Sequence, residues 1–223
     1  MKECLMSQPY APRIDATRPP QPAGQITPPA ASALLLLLGG LLMMLMYVGD
    51  VVHTLTTGQM VAREEALVTW QAALHNLSFN GCLLLVGTGL LTLGLALRPR
   101  APWLVSAGLV FAALAAGAAA ANIGMLVARI VPSGNLGGVG VIANLAASAL
   151  LGGAALRSKA LSPRIGRILL ITGIITFPCI LLTFPLSLIL PEFVVADLPF
   201  LFLGAIFGAI GLMLRRLRSV RHA

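Results

Sequence analysis

Six continuous apolar runs occupy the sequence between residues 31 and 214. They fall near 31–49, 77–97, 103–127, 137–156, 168–190 and 197–214. A helix needs about 20 residues to cross roughly 30 Å of hydrocarbon, and each run is about that long. Lipid offers backbone N–H and C=O groups no partners, so a spanning segment must satisfy them within itself. The runs lack the alternation over about ten residues that a membrane strand requires. The sequence therefore predicts an all-α fold, a polytopic transmembrane bundle of six helices. Composition agrees, with 58% apolar residues, 10% charged residues and mean hydropathy +0.94. Soluble domains carry about 25% charged residues, which excludes a water-soluble globular enzyme. So much Leu, Ala, Val and Ile excludes a wholly disordered chain as well.

The net charge of +8 is explained by topology. Thirteen of the fifteen basic residues fall in the N-terminal segment, the second-to-third and fourth-to-fifth connections, and the C-terminus. The other side keeps Arg63 and Arg129, with Asp50, Glu64, Glu65, Glu192 and Asp197. Positive residues stay on the cytoplasmic side, which predicts a multi-pass inner-membrane protein with both termini cytoplasmic. Nucleic acid is not an expected partner. The bilayer is, with a membrane-protein partner or a second copy as further options, and the C-terminal basic run suits anionic lipid.

Residues 1–30 hold seven of the fifteen prolines and no apolar periodicity, which predicts a disordered, Pro-rich cytoplasmic tail. The remaining division is a six-helix domain over 31–214 and a basic cytoplasmic tail over 215–223. Cys4, Cys82 and Cys179 form no disulfide framework and read as small apolar residues.

Small residues recur every fourth position in three runs. These are Gly108, Ala112, Ala116, Ala120 and Gly124; then Gly140, Asn144, Ser148 and Gly152; then Gly204 and Gly208. Such spacing predicts close helix crossings within the bundle, or contact between copies. Asn122 and Asn144 are amides in apolar surroundings, read either as interhelical hydrogen-bonding groups or as the lining of a ligand pocket. The fifth run contains Thr176-Phe177-Pro178 and Thr183-Phe184-Pro185. Each proline removes a donor and bends a helix, and Thr172, Thr176 and Thr183 are placed to bond the freed carbonyls. Broken helices line cavities in transporters, which makes Thr176 and Thr183 pocket-lining candidates.

The first loop is the chemically rich region. No Pro or Gly interrupts residues 61–80, which predicts a helix running from there into the second span, with Glu64 and Glu65 at its positive end. Leu67, Trp70, Leu74 and Leu77 share one face of that helix, and Trp70 and Tyr47 suit an interfacial belt. If the first span stays helical to Leu55, Asp50 and His53 lie one turn apart. His75 falls at a comparable level. Imidazole and carboxylate are metal ligands, and two histidines can hold haem. His53, His75, Asp50 and Glu64 are thus candidates for an outward-facing divalent metal or haem site. The plainer reading is solvated or helix-capping side chains, with no cofactor.

The Glu64-Glu65 pair is shared with intramembrane CAAX-type proteases, which need an arginine where Thr69 stands and histidines in later spans; that match is rejected. The layout resembles a group of bacterial six-span integral membrane proteins of unknown function. The resemblance rests on the helix before the second span and on Leu161-Ser162-Pro163-Arg164-Ile165-Gly166 opening the fifth. It implies no activity. The expected function is non-enzymatic: a small transporter, a sensor or a partner subunit, with the metal or haem protein as the alternative.

Overall fold

A computed structural model describes residues 25–59, 61, 65–186 and 192–222, with the side chains of all but 177, 180–184, 186, 192–197 and 220–222. Among the described residues every regular element is a helix: α1 (Ala30–Thr57), α2 (Trp70–Leu97), α3 (Pro102–Val127), α4 (Gly134–Ser158), α5 (Pro163–Leu186) and α6 (Glu192–His222). Each predicted run forms one helix. Among the described residues five stretches, namely α1 to α4 and Leu198–Ser219 of α6, are long and apolar enough to cross a membrane. Their outer faces are apolar too, with Leu45, Val52, Val110 and Phe202 each more than half exposed. Water does not tolerate such a surface, and the bundle fits a membrane protein.

Consecutive helices are neighbours, α6 returns to α1, and α2 also touches α4. This makes α2 and α4 the inner pair. Their apolar stretches are 56% and 61% buried, against 33% to 39% for α1, α3 and α6. The near end of the bundle holds the start of α1, and the far end holds the α1–α2 and α3–α4 connections.

Close crossings fix the helix pairs. A Cβ on Gly40 of α1 would overlap the Gly204 carbonyl oxygen and the Gly208 backbone nitrogen of α6. A Cβ on Gly173 of α5 would overlap the backbone of Leu145 and Ala149 in α4. Only glycine permits these approaches.

The small-residue stripes are confirmed on α4 and corrected on α3. In α3 the buried face is Gly108, Ala112, Ala115, Ala119 and Asn122, while Ala120 and Gly124 are exposed. At 3.6 residues per turn, each four-residue step overshoots by about 40°, so a strict stripe rotates off the face. On α4 the same drift is harmless because that helix is buried on most sides, and Gly140, Asn144, Ser148 and Gly152 are all inside.

Three boundaries differ from expectation. The predicted helix over 61–80 begins only at Trp70. Val68 and Thr69 both donate their N–H to the Glu65 carbonyl, and the Thr69 hydroxyl accepts from the Ala72 N–H at 3.3 Å. A capping hydroxyl competes with helix continuation, so the turn wins. Glu65 therefore precedes the helix, and Glu64 lies outside the described residues. At the other end of the chain, α6 starts at Glu192, contains Pro199 and runs on to His222, so the basic residues of 215–223 extend a helix. Residues 25–29, assigned by sequence to the tail, are seated on the bundle: the Ile26 N–H donates to the Ala160 carbonyl at 2.8 Å, and Pro28 is buried. Residues 1–24, the rest of the predicted disordered tail, lie outside the described residues.

Candidate functional site

Asp50 and His53 both belong to α1, which stays helical to Thr57 and ends on the left-handed Gly58. His75 sits in the second turn of α2, which Thr69 starts. At the far end these two helices enclose a pocket of about 310 Å³. Positions three and four apart line it, Met46, Asp50 and His53 from α1 and Trp70, Gln71, Leu74, His75 and Ser78 from α2. Gly49 leaves the α1 wall open, since a Cβ there would meet nothing within 4 Å. The volume is at the lower end of the range for small-molecule sites.

The polar centre of this pocket is a buried pair. His75 Nδ1 donates to Asp50 Oδ1 at 2.9 Å, with Oδ2 also 2.9 Å away. Both residues are buried, Asp50 at 9% and His75 at 6% exposure. Asp50 Oδ2 is buried with only the His75 ring beside it, and His75 Nε2 is buried with no hydrogen bond among the described residues. A buried polar atom without a partner costs roughly 1–3 kcal/mol, so the bare His75 Nε2 needs a reason.

The His75 ring lies parallel to Phe79 with centroids 6.4 Å apart, and Phe79 meets Phe200 of α6 edge-on at 5.5 Å. The aromatic row links the pair to a third helix. Sequence reading missed it because Phe79 and Phe200 look like ordinary apolar residues of their runs.

His53 is half-buried in the same pocket wall, outside the Asp50–His75 pair. Of the four metal candidates the structure thus brings Asp50, His53 and His75 to one pocket, and Glu64 is outside the described residues. Among the described residues, no three His, Cys, Asp or Glu side chains gather as a metal-holding set.

The amide candidates behave as interhelical links. Asn122 Nδ2 donates to Asn80 Oδ1 at 3.0 Å and to the Ser133 carbonyl at 3.1 Å, while its Oδ1 accepts from the Ser133 N–H at 2.9 Å. One side chain therefore ties α2, α3 and the start of α4. Asn144 Nδ2 donates to the Leu83 carbonyl of α2 at 3.2 Å. Its Oδ1 is buried without a hydrogen bond, beside a cavity of only about 10 Å³. That is room for one water at most. Asn76 and Asn80 went unnoticed in the sequence, although their four-residue spacing is the signal. Each donates to the carbonyl one turn back, Ala72 and Asn76 respectively.

On α5, Pro178 and Pro185 lie inside a helix that continues through them. Thr172 donates to the Ile168 carbonyl at 2.7 Å, not to a carbonyl freed by either proline. Its position fails because Pro178 frees the carbonyl of Ile174, which lies beyond it along the chain. Thr176 is half-buried on α5 and does not line the far-end pocket; the Thr183 side chain lies outside the described residues.

No family model, curated protein or solved structure matches this chain.

Proposed function

We propose that this chain is a six-span inner-membrane protein with cytoplasmic termini that binds a small organic cation in its far-end pocket, as a sensor or as the binding core of a small transporter. The observation that carries it is the buried Asp50–His75 pair, with His75 Nε2 left without a hydrogen bond, on a pocket about 310 Å³ in size. Ionisable side chains set into membrane helices are expensive and serve function by default. Here Asp50 shares a pocket with Trp70 and Leu74, which supply apolar surface, and with Gln71, Ser78 and His53, which supply polar groups. That chemistry suits an amine with a short apolar body. The orientation rests on the basic residues, thirteen of fifteen belonging to near-end segments, which turns the pocket away from the cytoplasm.

Sensing asks less of the fold than transport. Among the described residues, the cavity beside Asn144 takes one water at most. Passage of a solute requires another conformation; recognition does not. The metal reading draws on Asp50, His53 and His75 sharing one pocket, and it keeps its place as an outcome of the same test.

The test is thermal unfolding of the purified protein in mild detergent with primary amines, polyamines, zwitterionic amino acids and divalent cations. Saturable stabilisation by amines, abolished in Asp50→Asn, is the expected result. Stabilisation by zinc alone, lost in His53→Ala, would replace the amine reading with the metal one. A flat response to every solute would overturn both.

A further inference from the structure

The His75 ring has one nitrogen committed and one bare, and the bare one constrains what the far-end pocket holds. A carboxylate only accepts hydrogen bonds, so the ring nitrogen 2.9 Å from Asp50 carries the hydrogen. The bond made by one nitrogen fixes the role of the other, and in a neutral ring Nε2 is then a lone-pair acceptor. That acceptor is buried and has no hydrogen bond among the described residues. We propose that His75 sets the specificity of the pocket: its Nε2 accepts a hydrogen bond from a hydroxyl on the ligand, which selects short amino alcohols over plain alkylamines. This selection rests on the amine reading of the pocket and sharpens its ligand class.

Asp50 and His75 line the same pocket, one from each helix. The imidazole is 4% exposed and the carboxylate 12%, so the carboxylate is the more open of the two. An ammonium seated on Asp50 leaves the rest of a short ligand beside the ring. A methyl group there leaves Nε2 bare, whereas a hydroxyl fills it. A site built to hydrogen-bond a hydroxyl rejects the analogue that lacks it far more strongly than an apolar pocket rejects an extra methylene. The space is ample, because about 310 Å³ is many times the roughly 30 Å³ share of one water.

The ring is not free to turn away. A flip would put a carbon where Nδ1 stands and lose the bond to Asp50. The ring plane also lies within 5° of the Phe79 plane, with centroids 6.4 Å apart. Specificity of this kind needs an acceptor held in place before the ligand arrives, and both contacts hold it.

Calorimetric titration of the full chain in mild detergent with propanolamine and n-butylamine tests it. The two share charge and shape and differ by a terminal hydroxyl in place of a methyl. Propanolamine should bind about tenfold more tightly, the worth of one hydrogen bond. His75→Asn is the diagnostic variant, because an Asn amide nitrogen stands where Nδ1 stood and can still donate to Asp50. It should bind both amines with the affinity the parent shows for butylamine. Equal binding in the parent, or a preference for butylamine, overturns the inference and leaves the amine site standing. So does a preference that survives in His75→Asn. Loss of the preference in Ser78→Ala, with His75 in place, would assign the acceptor to Ser78 and overturn it as well. Binding of neither amine would overturn the amine reading itself. Imidazole nitrogen NMR reads the same atom with His75 intact. In the ligand-free protein Nε2 should resonate as an unbonded lone-pair nitrogen, and propanolamine but not butylamine should move it toward the N–H range. An Nε2 already protonated, or already hydrogen-bonded by water, overturns the inference.

Discussion

Asp50 of α1 and His75 of α2, 25 residues apart, close on each other with Nδ1 at 2.9 Å from both carboxylate oxygens. The bond joins two helices at the end where their connecting loop is longest. It also aims the imidazole, because a ring fixed at Nδ1 and stacked on Phe79 has one orientation left for Nε2. The pair is thus preset in the lining of the pocket.

The pair should behave as a unit in stability. Asp50→Ala strands the His75 Nδ1–H, and His75→Ala strands a buried carboxylate. Each substitution is expected to lose about 1–3 kcal/mol, the cost of an unsatisfied buried group. The double variant should lose clearly less than the sum, with a coupling of about 1 kcal/mol or more. Equilibrium unfolding in micelles over the four proteins of the cycle measures it. Strict additivity would show that the two side chains do not stabilise each other.

Asn122 makes a separate prediction. Its Oδ1 accepts the N–H of Ser133, the residue before α4. Asn122→Ala removes that acceptor along with the links to Asn80 and the Ser133 carbonyl. Interhelical hydrogen bonds in membrane bundles contribute roughly 0.6–1.7 kcal/mol each. Hydrogen exchange at the Ser133 amide should accelerate by about tenfold, the equivalent of 1.4 kcal/mol, while amides in the middle of α3 keep their rates. Unchanged exchange at Ser133 would mean another group satisfies it.

Thr69 decides where α2 begins and so where Trp70 and Gln71 stand in the pocket wall. Replacing a Thr cap by Ala costs about 1 kcal/mol, and Ser retains the hydroxyl. Thr69→Ala should lower the melting temperature and speed exchange at the Ala72 amide; Thr69→Ser should do neither. Equal behaviour of the two variants would mean that the Thr69 hydroxyl does not set the start of α2.

The helices were legible because burial in lipid requires uninterrupted apolar runs, and those runs survive in the linear sequence. The candidate pocket was half legible. Asp50, His53 and His75 stood out as rare polar types, yet which two would touch depends on the rotation of α1 against α2. That rotation is fixed by distant crossings such as Gly40 on α6, and no local pattern near the histidines encodes it. Asn122 illustrates the same gap: its amide marked it, but its partner Ser133 is a loop backbone group with no side-chain signature. The start of α2 was misplaced because a Thr hydroxyl outcompeted a continuous helical pattern, a balance of about 1 kcal/mol that composition does not reveal.

The α1–α6 crossing gives the sharpest test of helix packing. The sequence shows Gly204 and Gly208 as an equivalent small pair, but the geometry separates them. A Cβ on Gly204 would press on the Gly40 carbonyl oxygen at 2.7 Å, whereas a Cβ on Gly208 would meet nothing within 4 Å. Gly208 nonetheless lies against Gly40, because it is the backbone of Gly208 that a Cβ on Gly40 would strike. Gly40→Ala and Gly204→Ala should therefore force the helices apart and cost about 1–3 kcal/mol, as overpacking does. Gly208→Ala should be neutral or gain up to about 1 kcal/mol from better helix propensity. Melting temperature and monodispersity in detergent compare the three. Equal damage at Gly204 and Gly208 would mean that both face α1 with their Cα hydrogens, and the rotation of α6 described here would have to be abandoned.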